Sequence, residues 1–236
     1  LVLALGARSS KRLVLWAATA VFFVVLALSN FFDAWVALAV GLLILLVFGM
    51  WNLKKQAQSG WVSLPMALIV VALFFAVFKF SLPGSPQMPV EVSPSMRGEW
   101  GIAQEVLKER AITGSGPGTF VFDYAKYHPE SLNQTVFWGT RFASGASEIL
   151  GWLSQKGILG FLSFLVLIVS SLFLGVKTLV RSLQDSSSWM MGLGLLASFG
   201  AAIAAFVLYP STFVLSFVFW VLVGCLGVFA AENMKK

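Results

Sequence analysis

Ala67-Leu68-Ile69-Val70-Val71-Ala72-Leu73-Phe74-Phe75-Ala76-Val77-Phe78-Lys79-Phe80-Ser81-Leu82-Pro83-Gly84-Ser85-Pro86 is the stretch on which the fold turns. It begins as nearly unbroken hydrocarbon and ends in prolines and a glycine that stop a helix and favour an extended exit. The apolar run to which it belongs, residues 61–80, is near the ~20 residues that cross ~30 Å of hydrocarbon as an α-helix. Comparable runs lie at residues 13–29, 34–50, 158–176, 189–208 and 213–230, with 34–50 read as the one shorter span. Each is apolar all round rather than striped, which argues against buried helices of a large soluble domain. The composition agrees: 58% hydrophobic residues, 11% charged ones and a mean hydropathy of +0.88 lie outside the range of soluble domains. The expected fold is all-α: a polytopic helical membrane protein, one domain over residues 1–236, with a single large loop over residues 82–148.

The stub from Leu1 to Gly6 runs into Arg8, Lys11 and Arg12 and reads as the last turns of an earlier span, so a longer parent chain is expected. Orientation follows from the positive residues beside the spans, because cytoplasmic loops carry the excess of Lys and Arg. Arg8, Lys11 and Arg12, then Lys54 and Lys55, then Lys177 and Arg181, then Lys235 and Lys236 fall on alternate connections, which are read as cytoplasmic. Residues 30–33, the long loop and residues 209–212 then lie on the other side. The net charge of +6 reports this topology, and a nucleic-acid partner is not expected. The single cysteine, Cys225, lies in the last apolar run; it cannot staple the loop and reads as a small packing residue.

Within the loop, Ser93 and Pro94 predict a helix start. Residues 97–110 follow with Trp100, Ala103, Val106 and Leu107 on one side and Arg97, Gly101, Gln104 and Lys108 on another. Gly114-Ser115-Gly116-Pro117-Gly118-Thr119-Phe120 predicts a sharp turn, Phe120-Val121-Phe122 a short extended piece, and residues 123–134 an irregular segment. From Ser147 the pattern is helical again, leading into Gly157-Ile158-Leu159-Gly160 at the start of the fourth span.

Nearly all candidate chemistry lies in this loop. Exposed amides of Gly114, Gly116, Gly118 and Thr119 suit an anion, but the turn lacks the lysine of a P-loop, and on the residues alone a plain turn is the better reading. Arg97 and Arg141 offer a planar, permanently charged fork for phosphate or pyrophosphate oxygens; a surface ion pair, with Glu99 or with lipid headgroups, is the alternative. His128 is the lone histidine and serves neither a metal cluster nor a relay; it is a solvated loop residue or a substrate contact. Glu148 stands at the membrane edge, where a partly buried carboxylate suits a general base and a helix-start carboxylate suits the macrodipole. Tyr124 and Trp138 are sugar-stacking surfaces or membrane-interface anchors. No metal-ligand spacing occurs, and no cofactor is expected.

The run Arg97-Gly98-Glu99-Trp100 with Ala103, the run Ile112-Thr113-Gly114-Ser115-Gly116-Pro117-Gly118-Thr119-Phe120, and Ser147-Glu148-Ile149-Leu150 before Gly157-Ile158-Leu159-Gly160 together resemble the C-terminal half of the O-antigen ligase and polymerase family. Order, spacing and placement in one large loop all match, over roughly residues 97–160. The resemblance implies a metal-independent glycosyltransferase of the bacterial cytoplasmic membrane. Such an enzyme passes a glycan from a polyprenyl-pyrophosphate donor to an acceptor sugar or lipid outside the cytoplasm, among membrane lipid. It implies Arg97 at the pyrophosphate, where charge grows as the leaving group departs. Arg141 has no family position and is kept on charge alone. The chain departs from the family where a His-Asn pair is expected, since Ala146 and Ser147 stand there. Three accounts follow: Glu148 supplies the base, His128 folds back to supply it, or the chemistry is lost or changed. A non-catalytic membrane subunit that binds or assembles surface glycan is the second reading, and a transporter ranks last.

Overall fold

The structure is a computed structural model that describes residues 1–6, 10–29, 31–51, 60–78, 92–210 and 212–234. Among these the chain is helical without strands: α1 (Val2–Gly6), α2 (Ser10–Ser29), α3 (Phe32–Trp51), α4 (Gly60–Phe78), α5 (Met96–Arg110), α6 (Phe120–Tyr127), α7 (Glu148–Arg181), α8 (Ser186–Leu208) and α9 (Phe213–Met234). Helices α2, α3, α7, α8 and α9 are long and apolar enough to cross a membrane. The sequence reading of 34–50 as the short span is corrected, because α3 starts at Phe32 with Asp33 in its first turn. Helix α4 is apolar over its 19 residues, Gly60–Phe78, and residues 79–91 beyond it lie outside the described residues. Arg8, Lys54, Lys55, Lys235, Lys236 and the loop opening at 81–86 lie outside the described residues.

The chain divides into two compact units. The first comprises Leu1–Met88, Ser170–Ala205 and Leu215–Lys236. One of its cores forms around Trp35, where Ala39, Ala72 and Ala76 let α3 and α4 approach closely and Ala27 of α2 joins the cluster. The Trp35 ring stacks on Phe75 at 4.6 Å between centroids and meets the edge of Phe23 at 5.6 Å. A second core joins Leu42 and Leu45 of α3 to Leu193, Leu196 and Ala197 of α8, with Leu179 and Trp189. Val14, Phe22, Val70, Val77, Phe217 and Val221 point outward and exposed, more apolar surface than a water-soluble fold leaves bare. Cys225 is exposed on α9, so it is not a packing residue.

The second unit comprises Pro89–Val169 and Phe206–Val214, and so contains the described part of the polar loop together with the first half of α7. Helix α5 begins two residues later than Ser93 predicts: Ser95 is the cap, its Oγ accepting the Gly98 N–H at 3.1 Å. Residues 120–122 are the first turn of α6 rather than an extended piece, because Phe120, Asp123, Tyr124 and Tyr127 recur at helical spacing. Phe120 and Tyr124 thereby pack on Ile102 and Val106 of α5, while Phe122 projects outward. A short 3₁₀ turn, Glu130–Gln134, follows where an irregular segment is expected.

Candidate functional site

The site is built around a break in α7. Gly157 has φ of 64°, which interrupts the helical ladder and frees carbonyls before it and amides after it. The chain between α5 and α6 supplies what the break removes. Ser115 N donates to Ser154 O at 3.1 Å and Gly116 N to Gln155 O at 2.9 Å, while Ile158 N donates to Ala111 O at 2.9 Å and Leu159 N to Ile112 O at 3.3 Å. Gly114, with φ of 67°, lies against Gly157 so closely that a Cβ on either would overlap the other's backbone. Two glycines 43 positions apart in the chain are thus one structural device.

This pairing revises the expectation for the turn. Gly114 N donates to Arg110 O, Thr119 N to Gly116 O, and Gly118 N to Gln155 Oε1 at 2.7 Å. The amides of Gly114, Gly116, Gly118 and Thr119 that an anion would need are therefore spent within the chain, and the turn is a clamp on α7. Ser115 Oγ donates to Asp123 Oδ2 at 2.5 Å and lies 2.6 Å from Thr119 Oγ1, which ties the clamp to α6.

A second joint fixes the start of α7. Glu99 is fully buried, at an inward position shared with Ile102, Ala103 and Val106 of α5. Its Oε2 accepts the N–H of Ala146 at 2.7 Å and of Ser147 at 2.9 Å, and its Oε1 has no hydrogen-bond partner. Gly145 makes the room, since a Cβ there would overlap the carboxyl group. Burial pushes the Glu99 carboxyl up to about 7; the two amides oppose the shift, and the charge of Glu148 adds to it. On the other side of the segment, Ser147 Oγ donates to Phe206 O at 3.3 Å and Glu148 N to Tyr209 O at 3.2 Å. Glu99 was not among the residues singled out for chemistry, although a carboxylate at an apolar-stripe position of α5 is a signal the sequence carries.

Glu148 opens α7, half-buried, and its Oε1 accepts the indole N–H of Trp152 at 2.9 Å. Trp152 stacks on Phe164 at 4.2 Å, and Lys156 Nζ lies over the Trp152 ring at 3.1 Å. Glu148, Trp152 and Lys156 form a ladder at i, i+4 and i+8 along one helix face. Ala146, where the resemblance expects histidine, is buried and contributes its amide to Glu99.

Arg97 and Arg141 are exposed, and neither guanidinium has a hydrogen-bond or ion-pair partner among the described residues. The alternative pairing of Arg97 with Glu99 does not form, because Glu99 faces inward. His128 caps the end of α6, with Nδ1 2.9 Å from Tyr124 O and Nε2 2.8 Å from Asn133 Oδ1. Both ring nitrogens are thus held by neighbours in the chain, and the fold does not bring His128 to Glu148 by any contact among the described residues. Tyr124 is a core residue between Phe142, at 5.1 Å and edge-on, and His128, at 5.3 Å and stacked, so it presents no open face to a sugar. It borders a cavity of about 290 Å³ that Ile102, Phe137 and Phe142 also line. Trp138 is exposed. No group of three His, Cys, Asp or Glu side chains converges among the described residues. Comparison of the chain with family models, curated proteins and solved structures returns no match.

Proposed function

We propose that the chain is the C-terminal part of a membrane glycosyltransferase that moves a glycan from a polyprenyl-pyrophosphate donor to an acceptor sugar or lipid, outside the cytoplasm of a bacterium. The observation that carries the reading is convergence. The three sequence segments of the resemblance, separated by up to about 60 residues, meet on α7: Glu99 grips residues 146 and 147, and the glycine turn closes the break at Gly157. In this reading Arg97 and secondarily Arg141, exposed and without a partner among the described residues, stabilise the departing pyrophosphate. Glu148, oriented by Trp152, takes the proton of the acceptor hydroxyl. The apolar helices supply the lipid setting in which such a donor is dissolved.

Ala146 favours a second reading, a glycan-binding or assembly subunit that keeps the scaffold without the reaction. The test is donor consumption by the full-length protein in detergent, followed by mass spectrometry beside Arg97→Ala. Arg97-dependent donor loss with extended product supports the transferase. A donor that binds and persists with every acceptor, in a protein the cell's surface glycan still requires, would favour the subunit.

A further inference from the structure

We infer that Glu99 is a positioning residue for Glu148: as the neutral acid it docks residues 145–147 and fixes the start of α7, and on losing its proton it releases them. The role of Glu148 rests on the proposed transfer reaction; the docking itself does not.

The geometry makes the carboxyl a latch rather than a strut. It is completely buried, it reaches across from α5 to a segment 46 to 48 positions later in the chain, and it takes up both amides that precede Glu148. Only one oxygen is used. Oε1 stands against the backbone of Gly145 with no donor, so an ionised Glu99 leaves charge density buried without a hydrogen bond. Among the described residues no cation compensates it. The amides of Ala146 and Ser147 and the Gly145 backbone are uncharged, the Ile102 and Ala103 side chains beside it on α5 are apolar, and Glu148 at the start of α7 is the charged group whose field reaches it, with the wrong sign. Undocking lets water reach the carboxylate, and docking removes that water. The acid form is thus favoured when docked and the carboxylate when open, which couples a proton to the position of Glu148.

The sign follows from the raised value. Glu99 has its ordinary value of 4.5 when open and about 7 when docked, so the docked state is strongest below 4.5 and loses ground as pH rises to about 7. The test is hydrogen exchange of the full-length protein in lipid nanodiscs, corrected for intrinsic rates, over peptides containing Ala146 and Ser147. Protection should fall close to tenfold per pH unit between about 5 and 7, in all by on the order of 100-fold, and level off above that. Glu99→Gln, which keeps the shape and one acceptor oxygen, should give a flat profile. A flat wild-type profile overturns the latch without any variant, and so does a slope that survives Glu99→Gln. No donor or acceptor enters this experiment, so its failure and the failure of the transferase reading are separate results.

Discussion

At the residue scale, the site depends on where a few polar atoms find partners. Truncating Glu99 to Ala leaves the amides of Ala146 and Ser147 buried without an acceptor, at ~1–3 kcal/mol for each group so stranded. Glu99→Ala should therefore lower the thermal midpoint of the protein in detergent more than Glu105→Ala, whose exposed pair with Lys108 is worth little. Because the Glu99 carboxyl is raised when folded, its stabilising contribution is present below its ordinary value of 4.5 and is lost as pH climbs through about 7. The swing is on the order of 3 kcal/mol, and pH titration of the wild-type midpoint against Glu99→Gln measures it. Trp152→Phe keeps the ring contact with Phe164 and removes the donor to Glu148. If that bond orients the base, transfer should fall severalfold while the thermal midpoint moves by about 1 kcal/mol or less of stability.

At the scale of elements, the break in α7 explains three glycines that look alike in sequence. Gly114 and Gly157 combine positive φ with a backbone that leaves no room for Cβ, whereas Gly118 has φ of 74° in open space. Gly118→Ala should cost only the conformational penalty of ~1–2 kcal/mol. Gly114→Ala and Gly157→Ala should cost more and also separate the clamp, which exchange of the Ile158 and Leu159 amides would report. The sequence gives no way to rank these positions, because the reason lies in a partner 43 residues away. The glycine turn read as an anion cradle has the same origin: φ preference identifies a turn, and only the fold shows that its amides are already used. Helix α6 was hidden for a different reason. In Phe120-Val121-Phe122 an alternation over three residues fits strand and helix alike, and the decision comes from Tyr124 and Tyr127 further on.

At the scale of the whole molecule, the helical character and the long apolar helices were plain from composition, because runs of this length and hydropathy have few other uses. The division into two units was not, since it cuts through α7 and α8 at points where the hydropathy does not change. Arg97 and Arg141 were legible as permanent charges in the loop but not as paired or unpaired, and the fold leaves both exposed without a partner among the described residues. The placement of Glu148 was legible only as a position, and what holds it there, Glu99 on one side and Phe206 and Tyr209 on the other, required the fold. The measurement that bears most directly on the whole account is transfer by the full-length protein, wild type beside Glu148→Gln. A polyprenyl-pyrophosphate-linked oligosaccharide and candidate acceptors would be followed by mass spectrometry. The account predicts donor loss matched by glycan-extended product in the wild type, with the rate reduced ~10²–10⁴-fold in Glu148→Gln and donor binding unchanged. Transfer that proceeds at the wild-type rate in Glu148→Gln would contradict it.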